Sequence, residues 1–121
     1  DAKLCTIGWC FGGGWSLQTA IEAGTKTIGC VMYYGMPDED VSKLKKLNSD
    51  VLGIFASQDE WINAKVLSTF ETNMEEAGKT LIVYSYDADH AFANPSSPRY
   101  VEKAAQDAYK VASEYLRLKF K

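Results

Sequence analysis

The residues best able to do chemistry lie in the run Gly8-Trp9-Cys10-Phe11-Gly12. Residues 3–9 read as a strand and residues 12–23 as a helix, so Cys10 falls on a sharp strand-to-helix turn. Such a turn crowds the backbone, and a Cβ at Gly8 or Gly12 is expected to clash. A thiol held there points outward at the carboxyl end of the strand. The N–H of Phe11 then faces an incoming carbonyl oxygen. This arrangement suits acyl transfer, with Cys10 as nucleophile and the Phe11 N–H as oxyanion donor. A free thiol is mostly protonated at neutral pH. The helix N-terminus, a histidine and a carboxylate are each expected to help it lose its proton. The plain alternative for Cys10 is a packing residue.

Two later runs supply the other groups. The apolar segment Val51–Ala56 ends in Ser57-Gln58-Asp59, and residues 80–86 end in Asp87-Ala88-Asp89-His90. Nucleophile, acid and histidine thus appear in that order, each after a strand. In a parallel sheet all strand carboxyl ends lie on one side, so distant residues can converge there. The same chain order is used by α/β-hydrolases. His90, the only histidine, is the candidate base. Asp59 directly follows its strand and is the candidate acid, with Asp87 and Asp89 as competitors. Tyr34, Trp61 and Phe92 fall on the same side, as pocket walls or as ordinary core aromatics.

The segments Gly8-Trp9-Cys10-Phe11-Gly12-Gly13, Tyr33-Tyr34-Gly35, the Asp59 stretch and His90-Ala91-Phe92-Ala93-Asn94 resemble the dienelactone hydrolase family. The likeness runs from about Lys3 to the last helix. It implies the C-terminal half of an α/β-hydrolase fold, residues 1–121 forming one partial domain. It also implies hydrolysis of a small ester or lactone by Cys10, His90 and Asp59, without a cofactor. The other half would bring several strands and a second oxyanion donor. At Asn94, counted among the substrate-binding residues, this chain departs from family members that act on acidic lactones and carry an arginine there. An amide cannot form a charged bidentate clamp.

Composition bounds the alternatives. A chain of 121 residues is one domain on size. The formal charge is −3 and the longest basic run is Lys43-Leu44-Lys45-Lys46, which argues against nucleic acid. No apolar run approaches the roughly 18 residues that cross a membrane, and a cytoplasmic location is expected. Three cysteines argue against a disulfide framework. Cys5 and Cys30 read as apolar filler in buried strands. One histidine and no Cys-x-x-Cys argue against an ordinary zinc site. The acidic stretch Asp38-Glu39-Asp40 reads as a solvated loop or helix start. Gly12-Gly13-Gly14 lacks the lysine and hydroxyl residue of a phosphate loop.

Strand and helix alternate, which predicts an α/β fold with a mainly parallel sheet and helices on both faces. The first helix is expected to bury Trp15, Leu17, Ala20 and Ile21. Further strands are expected over Thr27–Tyr33, Val51–Ala56 and 80–86, and further helices over 41–47 and 63–77. A last helix is expected from Pro98, with Ala104, Ala108, Ala112 and Tyr115 on its apolar stripe. The strand before Cys10 would leave one edge bare, so a homo-oligomer is expected. The rival reading is a catalytically inactive hydrolase half that serves as a folded or association module.

Overall fold

The computed structural model describes residues 2–121. Its sheet is parallel and runs in the order β1 (Leu4–Trp9), β2 (Thr27–Tyr33), β3 (Val51–Ala56), β4 (Leu81–Tyr86). The helices among the described residues are α1 (Phe11–Ala23), α2 (Val41–Leu44), α3 (Ala64–Glu76) and α4 (Glu102–Lys119). The central strands are buried on both faces, as near-continuous apolar runs in parallel sheets are. Their side chains alternate between two cores. Cys30, Met32, Val51 and Phe55 face α1, α2 and α3, meeting Leu17, Leu44, Phe70 and Met74. Val31, Tyr33, Leu52 and Ile54 face α4, meeting Ala108, Ala112 and Tyr115. Helices therefore cover both faces, as expected.

The α4 helix is fastened by more than apolar contact. The Cys30 N–H donates to the Tyr115 hydroxyl at 3.0 Å, and that hydroxyl donates to Asp50 Oδ1 at 2.7 Å. Lys119 Nζ reaches the same carboxylate oxygen at 2.8 Å. One phenol thus links α4, β2 and the start of β3.

Several local expectations are corrected. Trp15 is 69% exposed and does not join the core, because Leu17, Ala20 and Ile21 already form the buried stripe of α1. Cys5 is half-buried, not buried, because it lies on the edge strand. The helix expected over 41–47 ends at Leu44. Bonds from Lys46 N–H to Lys43 O and from Leu47 N–H to Leu44 O tighten the chain into a turn that still buries Leu47. The last helix starts at Glu102, not at Pro98. The Ser97 hydroxyl accepts the Arg99 N–H at 3.1 Å and the Ser97 carbonyl accepts the Tyr100 N–H at 3.1 Å, so local turns win there.

The two glycines flanking Cys10 prove unequal. A Cβ on Gly8 would lie 1.9 Å from the Gly12 carbonyl oxygen, whereas one on Gly12 meets nothing within 4 Å. The close approach is one-sided, and Gly12 sits in the first turn of α1 where alanine is the better helix former. Gly8→Ala is expected to cost about 2–4 kcal/mol and to lower Tm by roughly 10 °C or more. Gly12→Ala is expected to stay within about 1 kcal/mol of the parent. Thermal melts of both variants check the contrast.

Candidate active site

Each strand delivers one part of the site at its carboxyl end. Cys10 follows β1, Tyr34 follows β2, Asp59 follows β3 and His90 follows β4. The sheet ladder continues past the strand ends and holds these loops. Cys10 N–H donates to Tyr33 O at 3.0 Å, Tyr34 N–H to Ile54 O at 2.7 Å and Ser57 N–H to Tyr86 O at 2.8 Å.

Cys10 has φ 56° and ψ −123°, a conformation that non-glycine residues rarely adopt. Such strain costs about 1–3 kcal/mol and persists where the surroundings over-determine the turn. Here the Tyr33 bond and the Gly13 N–H, which donates to Cys10 O at 2.9 Å, hold it. Phe11 opens α1, and its N–H finds no acceptor among the described residues. An N–H at the first turn of a helix is such an unpaired donor.

Asp59 is 3% exposed, and both its oxygens are used. Oδ1 accepts the N–H groups of Trp61 at 2.9 Å and Ile62 at 3.0 Å. Oδ2 lies 2.6 Å from His90 Nδ1. A buried carboxylate that already accepts two N–H bonds is an acceptor toward the ring as well. The proton therefore belongs on Nδ1, leaving Nε2 free to accept one. Tyr34 and Trp61 flank the imidazole, their ring centroids 5.0 and 5.4 Å from it. The rival carboxylates are engaged elsewhere. Asp87 accepts from Gln58 Nε2 at 3.0 Å, and Asp89 accepts the His90 N–H at 2.6 Å and pairs with Arg99 at 3.4 Å.

Cys10 and His90 line one cavity of about 540 Å³, with Phe11, Gly14, Trp15, Gln18, Tyr34, Met36, Trp61 and Ile62. That volume is ordinary for a small-molecule site. No hydrogen bond joins the Cys10 thiol to the ring among the described residues. Burial pushes the thiol pKa up, and the negative charge of Asp59 pushes it further. Both effects favour the thiol over the thiolate. Burial also raises the Tyr34 hydroxyl well above the usual phenol range. That hydroxyl is fully enclosed and makes no well-aligned hydrogen bond, although the Ala93 N–H approaches it.

Tyr34 and Trp61 are brought to the cavity, but Phe92 and Asn94 are not. Phe92 is wholly buried beneath it, against Tyr34 and Tyr86. Asn94 turns its side-chain oxygen to the Ser96 N–H at 2.9 Å. Trp15, Gln18, Met36 and Ile62 line the cavity without having been singled out from the sequence. A signal did exist for two of them. Phe11, Trp15 and Gln18 recur at i, i+4 and i+7, the face of α1 opposite its buried stripe. Asp38-Glu39-Asp40 is a helix start, since Asp40 Oδ1 accepts the Ser42 N–H at 2.9 Å. No helix among the described residues is long and apolar enough to cross a membrane.

Comparison with known proteins bears on this geometry. The chain is 28% identical over 118 residues to a carboxymethylenebutenolidase of a Pseudomonas species, covering 97% of this chain and 48% of that one. The crystal structure of a presumed dienelactone hydrolase from Klebsiella pneumoniae shares 25% identity at a TM-score of 0.82, covering 90% of this chain and 49% of that one. The structure called m3DLH has a TM-score of 0.84 at 17% identity, covering 95% of this chain and 51% of that one, and speaks for the fold alone. The chain thus spans about half the length of the relatives it matches, and its parallel sheet with two helical faces is part of an α/β-hydrolase fold. The model described as the dienelactone hydrolase family matches residues 1–119, from the elbow strand to the end of the helix clamped by Tyr115, and the chain belongs to that family.

Proposed function

We propose that this chain carries the reacting groups of an enzyme that hydrolyses small carboxylic esters or lactones, with Cys10, His90 and Asp59 as a catalytic triad. The observation that carries this reading is the 2.6 Å pairing of buried Asp59 with His90 Nδ1, at a cavity that also holds the strained Cys10. Attack of the sulfur on the ester carbonyl transfers the thiol proton to His90 Nε2. The oxyanion forms facing the Phe11 N–H. Collapse breaks the acyl–oxygen bond, and the leaving alkoxide takes the proton from His90. Water then attacks the thioester, again giving a proton to His90, and the acid leaves as the thiol is restored. Tyr34 and Trp61 flank the imidazole, Trp61 edge-on, and wall the acyl site.

We read residues 1–121 as one partial domain, and the enzyme as cytoplasmic, a compartment that keeps free thiols such as these reduced. The outer edge of β1 has no strand partner among the described residues, and Ile7 and Trp9 beside it are 40% and 47% exposed. An open edge with apolar neighbours pairs readily with another chain. We infer a homo-oligomer joined there.

Three measurements check these readings. With 4-nitrophenyl acetate, Cys10→Ala is expected to abolish turnover, and Asp59→Asn to lower kcat about 10²–10⁴-fold with little change in KM. A single oxyanion donor costs about a hundredfold or more against a complete pair, so turnover by the chain alone should be slow. Undiminished turnover in Cys10→Ala would exclude the mechanism. Iodoacetamide should label Cys10 ahead of Cys30, which is wholly buried. Because the Cys10 pKa lies above the ordinary value, the thiolate fraction is small near neutral pH. The labelling rate should therefore keep rising through the alkaline range, and His90→Ala should slow it near pH 7. A rate already level at pH 7 would contradict the raised thiol pKa. Light scattering at tens of micromolar should report a dimer or larger species, and a stable monomer would refute association through β1.

A further inference from the structure

The charges around the cavity point to the kind of acyl group it takes. No lysine or arginine is among its lining residues. Its rim is apolar and open to solvent: Phe11 is 90% exposed, Trp15 69%, Met36 55% and Trp61 62%. Exposed apolar residues gathered in this way mark a binding surface. The polar side chains at the wall are the Cys10 thiol, the His90 ring, the enclosed Tyr34 hydroxyl and Gln18. Gln18 Nε2 is already spent on Asp38 Oδ2 at 2.7 Å.

Lys43 and Arg99 lie outside that lining. Lys43 pairs with Asp38 at 3.5 Å, and Arg99 pairs with Asp89 at 3.4 Å. Each pair is formally neutral. Behind the His90 ring lies the buried Asp59 carboxylate, 2.6 Å from Nδ1. A carboxylate brought into this space would meet no lysine or arginine among the lining residues. It would also give up hydration against aromatic walls, which is costly for an ion.

Resting on the hydrolase reading above, we propose that this site selects an uncharged aromatic ester and disfavours one whose acyl group carries a carboxylate. Phe11, Trp15, Met36 and Trp61 form the face that holds the ring. The selection lies in the apolar rim and in the absence of a lysine or arginine among the lining residues, so a cation placed there should relax it.

The test separates binding from chemistry. Benzamide and benzoate present the same ring with a neutral and an anionic group. Each is titrated against iodoacetamide labelling of Cys10 at low salt, with labelling read by mass. Benzamide is expected to protect Cys10 at a concentration at least about tenfold below that of benzoate. Met36→Arg, which sets a guanidinium on the exposed rim, is expected to narrow or reverse that gap. Equal or better protection by benzoate in the parent overturns the proposal, as does protection by neither ligand. Turnover of 4-nitrophenyl benzoate against its 4-carboxybenzoate analogue is measured alongside. Selective protection without turnover of either ester would reject the hydrolase reading and leave the binding preference standing. Faster turnover of the carboxylate ester would reject the preference alone.

Discussion

A charged carboxylate taken almost wholly out of water must be satisfied on every side, and the geometry around Asp59 follows from that demand. An uncompensated buried charge costs several kcal/mol. The chain answers by turning sharply after β3, so that the N–H groups of Trp61 and Ile62 both point at Oδ1. The other oxygen takes the His90 ring. Fixing the ring in turn shapes the loop after β4, where Ala91 adopts φ 67° and the Asp89 side chain bonds the His90 N–H. The carboxylate thus sets the tautomer and the orientation of the His90 ring together.

The thiol is positioned by a different kind of constraint. No charge holds Cys10; backbone sterics do. Gly8 permits the first turn of α1 to fold back over β1, and the Tyr33 carbonyl fixes the Cys10 N–H. Gly13 and Gly35 extend the same close approach, since a Cβ on Gly35 would lie 2.5 Å from the Gly13 carbonyl carbon. This packing brings the end of β2, with Tyr34 and Met36, against the helix that starts after Cys10. It lets one short helix present both the N–H of Phe11 and a wall of the cavity at Trp15. The same negative charge that orients His90 works against ionisation of the thiol. In the proposed mechanism, proton removal in step with attack resolves that conflict better than a standing thiolate would.

Much of this was legible in the chain. The alternation of apolar runs with amphipathic stretches pointed to parallel βαβ units, because parallel strands need crossover helices and central ones are buried on both faces. Cys10, Asp59 and His90 could be chosen because each follows a strand, and parallel strands present their carboxyl ends together. The choice of Asp59 over Asp87 and Asp89 rested on its place directly after a strand. What was not legible was where local turn chemistry wins. Ser97 and Pro98 carry a good helix-start signal, yet serine bonds to nearby N–H groups hold turns until Glu102.

The sequence by itself determined the strands, most of the helices and the parallel character of the sheet, because strand and helix periodicities and glycine spacing are local properties of the chain. Tertiary structure alone decided which face each residue served. Trp15 was an apolar residue on a helix until the packing of Leu17, Ala20 and Ile21 turned it to the cavity. Phe92 and Asn94 lie within four residues of His90, yet one is buried beneath the site and the other bonds to its own turn. The charge balance of the cavity was likewise invisible in composition. It depends on which side chains the fold gathers at the cavity, and no lysine or arginine is among them.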